Sequence, residues 1–231
     1  MERYNRQIIL DGIGIAGQNK IKNASVLIVG IGGLGSIISL YLTAAGVGKI
    51  GLIDDDTVSI SNLQRQILYC ESDLNLQKVD CAKKRLQKLN SEVEFITYSE
   101  KLNSENAEKI ISEYDIIVDG CDNFETRYLI DDVCSKYKKP YVFGAISEFS
   151  GQVSIFNYKD SAKYQDLFPK KTVNENTTKL SNGVLGVLPG IIGTVEANEV
   201  IKIITEIGEI LTNKLFSINI LTMESTVFEI K

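Results

Sequence analysis

The sequence predicts an α/β fold: a mainly parallel sheet flanked by helices, with a C-terminal antiparallel extension. Three observations carry that expectation. Short apolar runs of strand length alternate with helix-period segments through the first 147 residues, the pattern of a sheet covered on both faces. One such run, SVLIV (Ser25–Val29), leads straight into a glycine-rich turn and then a helix-period segment. After Ser147 the alternation stops, and strand-like segments stand outside the βα repeat.

Taken in order, residues 1–24 have a helical, somewhat amphipathic pattern in which Ile8, Ile9 and Leu10 would dock on the body of the protein. Ser25–Gly30 is the first strand, and the apolar spacing after it suits a helix closing near Gly46. Lys49–Ile53 reads as a strand, Leu76–Leu89 as a helix, Val93–Thr97 as a strand and Ala107–Glu113 as a helix. A strand starts at Asp115 (DIIVDG), Asn123–Tyr137 forms a helix, and PYVFGAI returns as a strand. GQVSIFNY (Gly151–Tyr158) is a strand of the second region. Residues 160–182 are polar with little periodicity and suit a long crossing or lid loop; a loop of that length is usually functional or disordered. Residues 184–207 read as helical in their second half, with Pro189 and Gly190 marking a break at the start. FSINILTM and TVFEIK finish the chain as strands. One domain is expected over 1–231, with 1–147 as its nucleotide-binding half.

Composition narrows the function. The chain has 231 residues, 44 % of them apolar, which suffices for one sizeable core. Its 25 basic and 30 acidic residues are mixed along the chain and leave a net charge of −5, so no nucleic-acid footprint is expected. The N-terminus, MERYNRQIILDG, lacks a basic segment followed by a continuous apolar one, and a cytoplasmic location is expected. The apolar stretch Val184–Ile204 is interrupted by Glu196, Glu199 and Lys202, and reads as a buried helix and not a membrane span. Cys70, Cys81, Cys121 and Cys134 form no CxxC pair and read as unpaired buried thiols. The chain has no histidine, which excludes every histidine-based acid–base or nucleophilic mechanism within it.

The motif Gly30-Ile31-Gly32-Gly33-Leu34-Gly35 follows its strand and enters a helix, the arrangement of a Rossmann-like phosphate site. Gly30 permits the tight turn, Gly32 the close approach of a phosphate-bearing ligand, and Gly35 close helix–strand packing. The helix N-terminus offers free amides to anions. Asp54 ends the second strand about twenty residues further on, where an acid can hold a ribose hydroxyl pair. The stretch DDDTVSISNLQRQ (Asp54–Gln66) then separates two readings. A dinucleotide oxidoreductase needs one acid here and has no general requirement for the polar segment that follows. Asn62 and Arg65, three positions apart, would share a helical face and hold polyphosphate oxygens, for which the planar guanidinium is suited. Asp56 could cap the next turn, Asn62 could be a turn residue, and Arg65 could be a surface residue.

Lys78 stands at the start of a helix, where its charge opposes the helix field, so it needs an anionic partner or solvent. Asp119 and Asp122 fall at the carboxyl end of DIIVDG, where open α/β sheets bind ligands. A carboxylate facing a triphosphate makes physical sense with Mg²⁺ between them; Asp122 could instead cap the helix beginning near Phe124. Nucleotidyl or phosphoryl transfer follows, a chemistry of positioning and charge stabilisation that needs no histidine. The segment KYQDLFPKK would close over an acyl substrate and exclude water. Two alternatives stand beside this: an NAD(P)-dependent oxidoreductase, and a nucleotide-binding scaffold protein without catalysis.

RYNRQIIL (Arg3–Leu10), GIGGLG, DDDTVSISNLQRQ, QKVD (Gln77–Asp80), DGCDNFETR (Asp119–Arg127) and GVLGVLPGIIGTVEANEVIK (Gly183–Lys202) occur in order, and with them the sequence resembles the ThiF/MoeB/HesA family, bacterial relatives of the ubiquitin-activating enzymes. The likeness runs over nearly the entire chain. It implies a homodimeric adenylyltransferase that uses ATP and Mg²⁺ to adenylate the C-terminal glycine carboxylate of a small β-grasp sulfur-carrier protein ending in Gly-Gly. Pyrophosphate would leave, and a sulfurtransferase is a further implied partner; no nucleic acid and no membrane are. Residues 148–231 would then supply the crossover loop and the carrier-binding and dimer portion. Carried over, Asp54 holds the ribose, Asn62, Arg65 and Lys78 contact phosphates, and Asp122 binds Mg²⁺. Arg6 reaches the triphosphate of the neighbouring protomer. The implied nucleotide-binding set is Gly30, Gly32, Gly33, Gly35, Asp54, Asp56, Asn62, Arg65, Gln66, Lys78 and Asp122, with Arg6, Arg65, Lys78 and Asp122 catalytic.

Two departures from the family pattern matter. Members commonly hold structural zinc through two CxxC pairs, but the corresponding SAKYQDLFP and NILTMESTVF have no cysteine, so no structural zinc site is expected. Some relatives carry a cysteine just before the GVLG-type segment for covalent capture of the carrier. Lys179 stands at about that position here, and capture by that route is not expected.

Overall fold

Apolar side chains alternate along each central strand and send successive residues to opposite faces of a sheet. In the computed structural model, which describes residues 2–170 and 183–230, those strands are β1 (Ser25–Val29), β2 (Lys49–Ile53), β3 (Glu94–Tyr98), β4 (Ile116–Asp119), β5 (Tyr141–Ser147), β6 (Ser150–Phe156), β7 (Lys214–Asn219) and β8 (Glu224–Glu229). They form one sheet in the order β3-β2-β1-β4-β5-β6-β7-β8. The first five strands are mutually parallel, and β5 through β8 pair antiparallel. Both the parallel body and the C-terminal antiparallel extension expected from the sequence are present.

The helices divide between the two faces. On one side lie α2 (Gly14–Asn23), α3 (Gly33–Ala45), α4 (Lys78–Leu89) and α8 (Leu188–Thr205), packed on Val26, Ile28, Ile50, Leu52, Ile116 and Val118. On the other lie α5 (Ala107–Ser112), α6 (Phe124–Tyr137) and the single turn α7 (Tyr164–Leu167), packed on Leu27, Val29, Ile53, Ile117, Tyr141 and Phe143. The polar segment after β6 thus contains an anchor that its composition hid. The buried Asp131 carboxylate on α6 accepts from the Tyr164 and Gln165 amides at 2.9 and 3.1 Å, and Tyr164 packs among Tyr128, Tyr141, Phe143, Phe156 and Phe168. Residues 171–182, including Lys179, lie outside the described residues.

Four expectations need correction. The N-terminal segment is not one helix: α1 (Asn5–Ile8) is separated from α2 by a turn containing Gly12. Ile9 and Leu10 do not dock on the body, being 69 % and 53 % exposed, while Ile8 is half-buried. Pro189 and Gly190 do not break a helix. Pro189 sits in the first turn of α8, where its missing N–H removes no helical bond. α8 packs against α3 and β5, and among the described residues no helix is long and apolar enough to cross a membrane. Of the four thiols, Cys81 and Cys134 are buried as expected, Cys121 is half-buried and Cys70 is exposed.

Candidate functional site: a cavity at the switch point of the sheet

The chain runs from β1 outward to β2 and β3 on one side, and to β4 and β5 on the other. At such a switch point the loops diverge and leave a crevice at the carboxyl ends of the strands. A cavity of about 1110 Å³ occupies it, bounded by the glycine turn after β1, the segment after β2 and the loop after β4.

The glycine turn is built as its sequence requires. Gly30 has φ +86°, and a Cβ there would lie 2.7 Å from the Gly120 carbonyl oxygen, so neither conformation nor space admits another residue. Gly35 lets α3 close on the turn, since its Cβ would meet the Gly30 oxygen at 2.0 Å. Gly32 and Gly33 line the cavity itself. The residue between the first glycines is fixed from both sides. The Ile31 amide donates to Asp54 Oδ2 at 2.6 Å, and its carbonyl accepts from the buried Tyr69 hydroxyl at 2.8 Å.

The segment after β2 forms the second wall. Asp54 lines the cavity and also accepts from the Asp56 amide at 2.8 Å. Burial pushes its carboxyl above the ordinary 3.8, opposed by the Lys78 charge and by the two amides it accepts. Lys78 is not in solvent. Its side chain is 4 % exposed, and Nζ donates to Asp56 Oδ2 at 2.7 Å, while the Lys78 amide donates to the Asp56 carbonyl. Asp56 therefore holds both ends of the cation that the helix field disfavours. Asn62 closes a 3-10 turn (Ile60–Asn62) by accepting from the Ser59 amide, and Arg65 follows it, its Nη1 donating to the Ser61 carbonyl at 3.1 Å. Gln66 is buried beside Gly32, and its Oε1 has no hydrogen-bond partner among the described residues. Asn62, Arg65, Gln66 and Lys78 all line the cavity.

The loop after β4 forms the opposite wall, and here the two acids separate. Asp122 is exposed to the cavity and makes no hydrogen bond or ion pair among the described residues. It does not cap α6. That role falls to Asn123, whose side chain accepts from the Thr126 amide at 2.9 Å. Asp119 is wholly buried and does not line the cavity. It accepts from Arg127 Nε at 3.0 Å, from the Tyr141 hydroxyl at 3.0 Å and from the Cys121 amide at 2.9 Å. Burial opposes the charge on Arg127, but the adjacent Asp119 carboxylate together with the polar groups around it raises its pKa, and the guanidinium stays charged. Burial, reinforced by Asp119, pushes the Cys121 thiol well above 9.0, so it is not poised as a thiolate nucleophile.

Of the sequence-predicted residues, the cavity thus gathers Gly30, Gly32, Gly33, Asp54, Asp56, Asn62, Arg65, Gln66, Lys78 and Asp122. Gly35 stays behind the turn as a packing residue, and Arg6 is exposed on α1 away from its own chain's cavity. Arg127 and Tyr141 carried no expected role. The signal for Arg127 was present: an arginine in the first turns of a helix, eight residues after a strand-end aspartate.

A glycine turn, a strand-end acid and four flanking polar side chains around one crevice define a Rossmann-like site of the nucleotide-binding type. The chain belongs to the ThiF family, whose model matches residues 4–231. It is 46 % identical over 230 residues to a probable molybdopterin-synthase adenylyltransferase of Porphyra purpurea, covering 99 % of this chain and 60 % of that protein. It is also 43 % identical over 221 residues to a sulfur carrier protein adenylyltransferase of Thermus thermophilus, covering 93 % of this chain and 82 % of that one. The chain spans three fifths of the Porphyra relative and about half of several others. Among solved structures, E. coli MccB with ATP superposes with a TM-score of 0.89 at 25 % identity, over 100 % of this chain and 72 % of that one.

Proposed function

We propose that this chain is an adenylyltransferase that activates the C-terminal carboxylate of a small sulfur-carrier protein with ATP and releases pyrophosphate. The observation that carries the reading is the cavity's division. Asp54 stands beside the glycine turn on one wall, Asn62, Arg65 and Lys78 gather next to it, and an unengaged carboxylate, Asp122, faces them from the other wall. A nucleoside polyphosphate matches that polarity, with its ribose toward Asp54 and its phosphates toward the cations. The unpartnered Gln66 oxygen supplies a further acceptor. Relatives named for this activity, and MccB solved with ATP, support the same reading.

Mg²⁺ fits the donor set: it takes one or two carboxylates alongside phosphate oxygens and water, and no described residue engages the Asp122 carboxylate. When bound, the ion would neutralise charge on the phosphates. The chain's own residues then do the positioning. Lys78, held by Asp56, keeps a charge at the phosphates without swinging into solvent, and Arg65 adds a planar donor pair beside Gly33. Attack by the carrier's carboxylate on the α-phosphorus forms the acyl–O–P bond and breaks the bond to pyrophosphate, with no proton transfer required of the protein. That suits a chain without histidine. The same proposal includes a homodimer in which Arg6 completes the neighbouring site, a carrier ending in Gly-Gly, a sulfurtransferase as later partner, carrier and dimer contacts in residues 148–231, and a cytoplasmic setting.

The test is ATP–pyrophosphate exchange with a purified β-grasp protein ending in Gly-Gly, with and without Mg²⁺. Exchange that needs both supports the reading. Absence of exchange, together with thermal stabilisation by NADH and not by ATP·Mg²⁺, overturns it in favour of the oxidoreductase. For Arg6, mixing Arg6→Ala subunits with Asp122→Ala subunits should restore up to about a quarter of wild-type activity through random reassortment. No recovery after proven subunit exchange removes action in trans.

A further inference from the structure

Asp122 stands on a loop, and loops place side chains loosely unless their peptide groups are tied down. The two peptide groups flanking Cys121, the residue before Asp122, are both tied. The Cys121 amide donates to Asp119 Oδ1 at 2.9 Å, and the Cys121 carbonyl accepts from Arg127 Nη2 at 3.1 Å. Asp119 and Arg127 are themselves joined at 3.0 Å through Nε, and Nη2 also reaches the Gly144 carbonyl on β5 at 3.3 Å. The Tyr141 hydroxyl completes the ring on Asp119 Oδ2. One guanidinium therefore bridges the end of β4, the loop and β5 from a position 9 % exposed.

We propose that Arg127 is a positioning residue: with Asp119 and Tyr141 it clamps the peptide groups around Cys121 and so fixes the direction in which Asp122 meets the metal–nucleotide complex. The inference deepens the adenylation reading, but its structural half stands without it. Such a bridge needs a planar fork. Lysine could keep the charge beside Asp119 but could not reach Asp119, Cys121 and Gly144 together.

The discriminating variant is Arg127→Lys, studied by amide hydrogen exchange in the free protein and by ATP–pyrophosphate exchange. Loss of the Cys121 and Gly144 bonds should accelerate amide exchange across residues 120–123 about tenfold, with β1 and α3 unchanged. The Mg²⁺ concentration for half-maximal activity should rise about tenfold while the KM for the carrier stays constant. Tyr141→Phe, which removes one hydroxyl and keeps the fold, should move both readouts the same way by about threefold. Unchanged protection of 120–123 in both variants overturns the clamp, as does a uniform acceleration over the whole chain. A change in carrier KM without any change in Mg²⁺ dependence overturns the link to Asp122. If the wild-type protein catalyses no exchange at all, the adenylation reading fails, and the amide data still decide the clamp.

Discussion

The two strands that flank β1 each end near an aspartate, and the two acids have opposite fates. Asp54, one residue past β2, stays at the cavity wall and gives one oxygen to the glycine turn and the other to the Asp56 amide. Asp119, the last residue of β4, is wholly buried and spends its oxygens on Arg127, Tyr141 and Cys121. The acid that faces the cavity on the β4 side comes three residues later, in the loop. Arrival at the carboxyl end of a parallel strand therefore nominates a residue for the site without placing it there. Parity along the strand decides. Ile117 packs on the α6 face, so Asp119, two residues on, points into the same layer.

The comparison breaks most visibly if the two acids are exchanged in role. Asp119→Ala leaves Arg127 buried without its counter-charge and should cost about 3–5 kcal/mol of stability, seen in urea unfolding. Asp122→Ala should leave unfolding within about 0.5 kcal/mol of wild type and lower pyrophosphate exchange about 10²–10³-fold. An Asp119→Ala protein of native stability, or an Asp122→Ala protein of native activity, would reverse the assignment. A second pair sharpens the opposite wall. Arg65→Ala and Lys78→Ala should each lower exchange about 10–100-fold, the worth of a charge-assisted bond. Only Lys78→Ala should also loosen the segment 54–58, because the Lys78 side chain pairs with the Asp56 carboxylate, whereas Arg65 bonds the Ser61 carbonyl. Equal loosening in both variants would remove the distinction.

How much of this was legible follows from the same contrast. The strands and helices of residues 25–156 were readable because burial on two faces writes itself as apolar period; β2 falls on Lys49–Ile53 and α3 ends at Gly46 as expected. The glycine turn was readable because its backbone geometry admits few residues. The buried status of Lys78 was not, since an ion pair between residues 22 apart depends on the hairpin-like return of residues 75–78 onto 56–58. Tyr141, and the bridge that joins it to Arg127 through Asp119, were missed for a related reason: contacts among three elements have no period and no fixed spacing. Ile9 and Leu10 misled because apolar residues on a terminal turn need not find a core within their own chain.

A third carboxylate extends the comparison with the smallest expected effect. Glu196 on α8 is fully buried, and among the described residues neither of its oxygens has a hydrogen-bond partner. It presses against β5 where Gly144 leaves room, since a Cβ on that glycine would come within 2.3 Å of the carboxyl carbon. Burial pushes its carboxyl well above the ordinary 4.5; Asp119 adds to the rise and Arg127 opposes it. Where Asp119 is fully engaged, the Glu196 oxygens have no partner among the described residues, and burial favours the neutral form of its carboxyl. The folded state then binds a proton that the unfolded state releases, so stability is full below pH 4.5 and falls as pH rises toward the folded value. The slope reaches at most about 1.4 kcal/mol per pH unit. Glu196→Gln keeps the size and removes the titration. It should match wild type at pH 4.5 in urea unfolding and exceed it increasingly at pH 6 and 7.5. A stability difference independent of pH would mean that the carboxylate is charged and partnered, and that the Asp119–Arg127 pair serves two acids instead of one.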